Sequence, residues 1–313
     1  MSAAAQPPTP EGSPEREGWL SVRERGGVFG IRFIVFLCTA FGRGPARLFI
    51  RLIAAWYFLF DGHTRRCSRA YLERITGGPV TRQLVYRHIL TFARVTLDRL
   101  FFAAGKSSAF HVEFHGEEHL RQLRDEQRGA LLILAHVGSF EAGRALAQER
   151  QFAINVLGNF HNARLLNEAL TQMNPGINTR LIDIGALGSI DFVFRAERCV
   201  AAGELISTMG DRVGPDAKCQ RVDFLGASAA LPTGPYLLAA ALGCPVYLAF
   251  GLYSEPNRYD LYCEPFAEKI ELDRKDRAAS LGKYLSAYAR RLEAHCRRQP
   301  LNWFNFYDFW KGG

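Results

Sequence analysis

The chain has 313 residues, with 39 Lys and Arg against 31 Asp and Glu for a net charge of +8, and seven cysteines. That length allows a substantial core, while dispersed cysteines of odd number and without a C-x2-C pair argue against a disulfide frame or zinc site and for buried thiols in a reducing compartment. The basic excess is local, with ten Arg against three acids between Trp19 and Arg74, and neither a nucleic-acid-binding motif nor an interleaved aromatic platform accompanies it, so no nucleic acid is expected as a partner.

Residues 1–17 (MSAAAQPPTPEGSPERE) are rich in Pro, Ala and Ser, lack an apolar h-region and read as a disordered tail without a cleavable signal. Residues 18–76 are both the most basic and the most apolar part. VFGIRFIVFLCTAFG (28–42) and ARLFIRLIAAWYFLF (46–60) flank the turn Arg43-Gly44-Pro45. Arg32 and Arg51 interrupt them, so neither offers the roughly 18 uncharged residues a spanning helix needs. They are predicted to be two short basic amphipathic helices lying in one leaflet of an anionic membrane, with arginines reaching the headgroups and Trp56 and Tyr57 at the interface. The other reading is a pair of core helices with a solvated basic face. A single tilted span over 31–60 would strand Arg43, Arg47 and Arg51 in hydrocarbon.

Helices are predicted over 64–76 and 80–104, a strand over 110–114 and a helix over 117–127. His115-Gly116-Glu117-Glu118-His119 matches the H-x-x-E-H string of inverted zinc proteases, but that chemistry needs both His on one helix face. Gly116 marks a strand-to-helix junction instead, and no metal site is assigned.

Ala130–Ala135 is an uninterrupted apolar run that reads as a fully buried strand of a parallel sheet, ending at His136. In His136-Val137-Gly138-Ser139-Phe140-Glu141 the Gly-Ser pair breaks the strand, and Ser139 is placed to cap a helix opening at Phe140. On one continuous helix His136 and Glu141 would sit about 140° apart. A turn between strand and helix folds Glu141 back beside His136 at the carboxyl edge of the sheet, where open α/β folds put their chemistry. Glu141 then accepts from one ring nitrogen while the other takes a proton from a hydroxyl. The helix N-terminus offers unpaired N–H groups to a developing negative charge. Two alternatives stand beside this. His136 merely ends a strand, with Glu141 a first-turn acid favoured by the helix dipole; or Ser139 is the nucleophile of a lipid esterase, although the Gly required two residues after it is missing.

Further strands are predicted over 152–157, 180–184, 204–209 and 221–225, with helices over 162–173 and 188–202. Asn159 and His161 fall in a loop at the same sheet edge, and Arg164 lies near the start of the 162–173 helix, where it is equally readable as a surface residue. Asp211 and Arg212 follow the strand 204–209; Asp211 orients an acceptor, holds a neighbouring base or caps a loop. Gly226–Gly234 reads as a small-residue stretch that lets an acyl chain or phosphopantetheine approach the backbone. Thr233 or Gly234 opens a helix over 235–242 whose amides suit a phosphate, and no Walker A string is present. Strands over 245–252 and 258–263 and a helix over 276–298 precede an aromatic tail, Leu301–Trp310, read as core or as a membrane-facing lid. This alternation predicts an α/β fold, a mixed, mainly parallel sheet flanked by helices, with an N-terminal membrane-docking helical hairpin, one catalytic domain over 77–313 and no repeat.

These blocks resemble the lysophospholipid and lipid A biosynthesis acyltransferases, particularly the late lauroyl/myristoyl-type branch. HVGSFE resembles the H-x4-D/E signature. VLGNFHNARLLNEALTQMNP (156–175) resembles the Asn- and Arg-bearing second block, and ELISTMGDRVGPDAKCQRVDFLGASAALPTGPYLLAAALGCPV (204–246) the strand, Asp turn, Phe-x-Gly and Pro-Val run. The match extends over roughly residues 18–310. Asp211-Arg212 departs from the Asp-Gln common in lipid A enzymes, and no extended basic loop of the sugar-phosphate-binding kind stands out; both point to a divergent branch such as accompanies aryl-polyene-type lipid pathways. The resemblance implies a glycerolipid acyltransferase-like fold at the cytoplasmic face of a bacterial inner membrane. It implies an O-acyltransferase that moves a fatty or polyketide-like acyl group from an acyl carrier protein, or from coenzyme A, to a hydroxyl of a lipid or glycolipid, with no cofactor and no metal. It gives His136 the role of general base with Glu141 as its partner, and Arg164 the oxyanion. Asn159, Asp211, Arg212, Gly226 and Thr233 are the further candidates for substrate binding. A non-catalytic membrane-associated scaffold of the same fold is the remaining alternative.

Overall fold

The computed structural model describes residue 36 and residues 42–158, 180–184, 190–214 and 217–311. The expected tail at 1–17, the helix at 28–42 (Phe36 and Gly42 excepted) and the helix at 162–173 lie outside the described residues, as do Asn159, His161 and Arg164.

Among the described residues, α1 (Arg43–Phe60), α2 (Gly62–Thr76) and α3 (Arg82–Ala103) precede the first strand. Asp61 starts α2 by accepting the Thr64 N–H at 3.0 Å, and Thr81 starts α3 by accepting the Leu84 N–H at 3.2 Å. Strands and helices then alternate: β1 (His111–His115), α4 (Glu117–Asp125), β2 (Ala130–Gly138), α5 (Phe140–Glu149), β3 (Ile154–Gly158), β4 (Leu181–Asp183), α6 (Asp191–Ala201) and β5 (Leu205–Met209). A hairpin, β6 (Cys219–Phe224) and β7 (Ala227–Pro232), leads to α7 (Gly234–Leu242), β8 (Val246–Ser254), β9 (Arg258–Ala267) and α8 (Arg277–Arg298).

Seven strands form one sheet in the order β1-β9-β8-β2-β5-β3-β4. Among the described residues of this sheet β8 and β9 pair antiparallel, and every other neighbouring pair is parallel. The central strand β2 is buried on both faces, which is why its sequence shows no polar alternation. Leu131 and Ile133 belong to a core shared with Leu285, Tyr288 and Leu292 of α8, whereas Ala130 and Leu132 pack in a cluster with Leu120 and Leu123 of α4 and Ala147 of α5. Tyr71 and Leu72 of α2 and Ile50 and Ala54 of α1 join the first of these cores.

Two expectations change. The stretch read as letting an acyl chain or phosphopantetheine approach the backbone, Gly226–Gly234, is mostly β7: Leu225 (φ 52°) and Gly226 (φ 71°) make a two-residue turn with positive φ at both positions, as a type I′ hairpin requires. Its small side chains had hidden a strand. Nor do the first arginines of α1 project freely from the protein. Arg43 donates to both oxygens of buried Asp98, at 2.8 and 2.7 Å, and Arg47 bonds Glu255 and the Pro256 carbonyl. Arg51 is exposed, and the rest of what α1 presents to solvent past its first turn is apolar. Leu48, Leu52, Trp56, Leu59 and Phe60, at near-helical spacing, are each more than half exposed, while Ala46, Ile50 and Ala54 face inward. Among the described residues no helix is long and apolar enough to cross a membrane.

Candidate active site

Strand pairing builds the site. β2 and β5 are adjacent and parallel with Leu134 opposite Met209, so two residues further His136 comes level with Asp211 at the carboxyl edge. The last bond of this ladder runs from the Gly210 N–H to the Leu134 carbonyl, at 2.8 Å. Beyond it the Asp211 side chain takes over: Oδ2 accepts the His136 backbone N–H at 2.9 Å, and Oδ1 pairs with His136 Nδ1 at 2.8 Å. On the other side of β2 the register with β8 shifts between Leu134 and Gly138, so the irregularity falls on the His136 stretch.

The C-terminal tail closes the cluster. Val137 forms an antiparallel bridge to Trp303, the Phe304 N–H donates to the His136 carbonyl at 3.0 Å, and the Gly138 N–H to the Asn302 carbonyl at 2.8 Å. Trp303 Nε1 donates to Asp211 Oδ2 at 3.1 Å, and Arg212 to the Phe304 carbonyl at 2.7 Å. The tail is therefore core, one of its two expected roles, and it holds the site. Gly138 is obligatory here. Its φ is 62°, and an added Cβ would overlap the Gly251 carbonyl oxygen on β8.

Asp211 is fully buried, yet its carboxyl lies at about 2: burial raises it, and the His136 ring, Arg212 and the His136 backbone N–H outweigh burial. His136 moves down from the ordinary imidazole value. Burial is the main cause, the Arg212 and Arg99 cations add to it, and Asp211 opposes. An ionised carboxylate only accepts, so the ring proton sits on Nδ1 and the Nε2 lone pair is left for a proton from elsewhere. Among the described residues nothing bonds Nε2, and the His136 side chain is 27 % exposed against 1 % for Asp211. The pair is arranged as an oriented general base. Any activity that uses it should fall as pH drops and His136 takes a proton, with the acid limb of a pH–rate profile below 6.5. A limb at or above that value would contradict the assignment.

Glu141 does not hold the His136 ring nitrogen as expected. The first turn of α5 carries it, 3 % exposed, to an ion pair with Arg99 of α3, whose guanidinium also lies over the Phe140 ring at 5.2 Å. The turn expected from the sequence exists, but a cation one layer away captures the acid. Ser139 is 1 % exposed and its Oγ accepts the Ala142 N–H at 3.2 Å, so this hydroxyl is spent as a helix cap rather than offered as a nucleophile. Gly226 lies in the β6–β7 turn, and Thr233 Oγ1 donates to the Lys218 carbonyl at 3.0 Å; neither is gathered with His136. Arg212 is.

His115 ends β1 and His119 lies in α4, with Gly116 at φ 84° between them, so the H-x-x-E-H string is split as expected. Glu113, His115 and Asp260 do approach one another at the β1–β9 edge. Arg258 already donates to both carboxylates, at 2.6 Å to Glu113 and 2.8 Å to Asp260, and supplies the cation there.

An apolar cavity runs beneath α5, between it and the sheet. Val137, Ser139 and Phe140 line one end, beside His136 in the chain though His136 itself is not part of the wall; Leu132, Ala147 and Ile154 line the other. From Phe140 to Ala147 the helix spans about 11 Å. Gly143 stands in this wall, and a Cβ there would meet nothing within 4 Å.

The family model described as bacterial lipid A biosynthesis acyltransferase matches residues 19–312, and the chain belongs to that family. No curated protein matches the chain significantly.

Proposed function

We propose that this member of the bacterial lipid A biosynthesis acyltransferase family transfers a fatty or polyketide-like acyl group from a thioester to a hydroxyl of a lipid or glycolipid, using His136 as general base. The observation that carries this reading is the Asp211–His136 pair with Nε2 open at the sheet edge. Nε2 takes the hydroxyl proton as the oxygen attacks the thioester carbonyl, whose π pair moves onto its oxygen. Collapse re-forms the carbonyl, breaks the C–S bond, and the departing thiolate takes the proton back from His136. Asp211 holds the imidazolium between the two proton transfers. With the Ala142 N–H taken by Ser139 Oγ, the Phe140 and Glu141 N–H groups at the start of α5 have no intrahelical acceptor and suit the oxyanion. No covalent enzyme intermediate is needed. Acyl carrier protein is our preferred donor and coenzyme A the other.

The cavity under α5 suits the acyl tail, being largely apolar and lined by Val137, Ser139 and Phe140, which follow His136 in the chain. A branched side chain at Gly143 would shorten it without a backbone clash. Gly143→Leu is expected to lower kcat/KM for the longest acyl donors by about 10–100-fold while sparing short ones. An unchanged chain-length profile would remove the cavity from the reaction.

The exposed stripe Leu48, Leu52, Trp56, Leu59 and Phe60 supports docking onto a membrane surface, at the cytoplasmic face of the inner membrane, where the lipid acceptor is presented. Leu52→Glu with Trp56→Glu should weaken binding to anionic vesicles by about 10²–10⁴-fold, since each of the two buried apolar side chains contributes ~1.5–3 kcal/mol. Undiminished vesicle binding would place the membrane contact elsewhere.

The test of the reaction uses the purified chain with vesicles of bacterial inner-membrane lipid and acyl thioesters of carrier protein or coenzyme A. Release of thiol matched by a new lipid ester supports the reading. Thiol release with free fatty acid as the sole product would make the protein a hydrolase, and no release from either donor would leave it a scaffold.

A further inference from the structure

α3 carries two consecutive residues in buried ion pairs, and they differ in one respect. Asp98 is saturated: Arg43 takes both its oxygens, and the Tyr259 hydroxyl donates to Oδ2 at 3.0 Å. Arg99 and Glu141 are not. One Arg99 Nη holds Glu141 Oε1, but the buried Arg99 Nε–H and the buried Glu141 Oε2 make no hydrogen bond among the described residues. A buried donor or acceptor left without a partner costs on the order of 1–3 kcal/mol, and a buried ion pair contributes little stability to offset it. Such a pair is poor scaffolding. It makes sense where an acceptor arrives to engage the guanidinium that Glu141 holds in place.

The location says which group. Glu141 opens α5 five residues after His136, and the Arg99 guanidinium is pinned over Phe140 in the same turn. Its charge bears on the His136 ring and on Arg144. The side chain stays 22 % exposed through atoms other than the buried Nε, and it is these that a substrate can meet.

Resting on the acyl-transfer reading above, we propose that Arg99, clamped by Glu141, donates to the thioester carbonyl oxygen as it becomes an oxyanion. Glu141 is then a positioning residue that acts through Arg99 rather than through His136. The carbonyl π pair that becomes the oxyanion lone pair is held by Arg99 and returns to carbon when the C–S bond breaks. The family resemblance gives this role to Arg164, so the two arginines are separable by variant.

The experiment is a double-mutant cycle on the full chain with acyl carrier protein thioester and lipid vesicles, comparing Arg99→Gln, Glu141→Gln, the two together, and Arg164→Gln. Arg99→Gln is expected to lower kcat by about 10²–10³-fold with little change in KM for the donor. Glu141→Gln should also lose activity. The double variant, which leaves no lone buried charge, should be no slower than Arg99→Gln. Against the other charges on His136 (Asp211, Arg212), loss of the Arg99 cation should move the acid limb to higher pH. Wild-type kcat in Arg99→Gln, or a double variant whose losses multiply, would overturn the proposal. If Arg99→Gln alone unfolds in a thermal melt, a double variant that folds and keeps wild-type kcat would overturn it as well. Absence of thiol release by the wild-type chain would instead be a failure of the acyl-transfer reading itself.

Discussion

Asp211→Asn should lower kcat by about 10³–10⁴-fold while the protein stays folded, the scale seen when an orienting carboxylate becomes an amide of the same shape. Asn still accepts the His136 backbone N–H and the Trp303 indole through its oxygen, so the ladder end and the tail contact survive. What changes is the ring. An amide NH2 facing Nδ1 donates where the carboxylate accepted, and this moves the ring proton to Nε2, the nitrogen that must be free. The defect is therefore in tautomer rather than in binding, and KM for the acyl donor should change little. A variant within tenfold of wild type, with unaltered melting, would mean that Asp211 only supports the fold.

His136→Ala should be at least as slow, and it should not add to the first variant. Removing the base leaves Asp211 with the backbone N–H and the Trp303 indole, so its charge keeps two of its three donors and the fold should persist. The His136 carbonyl contact to Phe304 is backbone and is unaffected. Residual turnover then comes from whatever holds the oxyanion and aligns the substrates. Because the two residues act as one unit, the double variant His136→Ala with Asp211→Asn should be no slower than His136→Ala alone. Steady-state rates of thiol release for the four proteins decide this. Multiplying losses would separate the two residues into independent roles.

The strands around the site were readable because a parallel strand buried on both faces leaves an uninterrupted apolar run, and Ala130–Ala135 is one. The end of that run located His136, and Gly138 and Ser139 marked the turn that follows. Its carboxylate partner was harder to read, because it lies 75 residues away and depends on which strand neighbours β2. Spacing favoured the nearer acid. Holding the neighbouring base had been one of several roles open to Asp211, and only the β2–β5 pairing selects it. Glu141 was misdirected for the same reason: the cation that claims it comes from α3, 42 positions earlier in the chain. Arg99 had no local signal at all. Trp303 was visible as an aromatic in a core-like tail, but its indole N–H carries no pattern that names Asp211 as acceptor. The β6–β7 hairpin was lost because Ala, Ser and Gly show neither period clearly, whereas its turn pair, Leu225-Gly226, is decipherable once the positive φ values are known.

Nitrogen-15 NMR of the imidazole of His136 in the folded wild-type protein, followed through a pH titration, bears most directly on this account. A neutral ring near pH 7 with its proton on Nδ1, converting to imidazolium only below pH 6.5, is the expected result. A proton on Nε2, or a ring already charged at neutral pH, would contradict it.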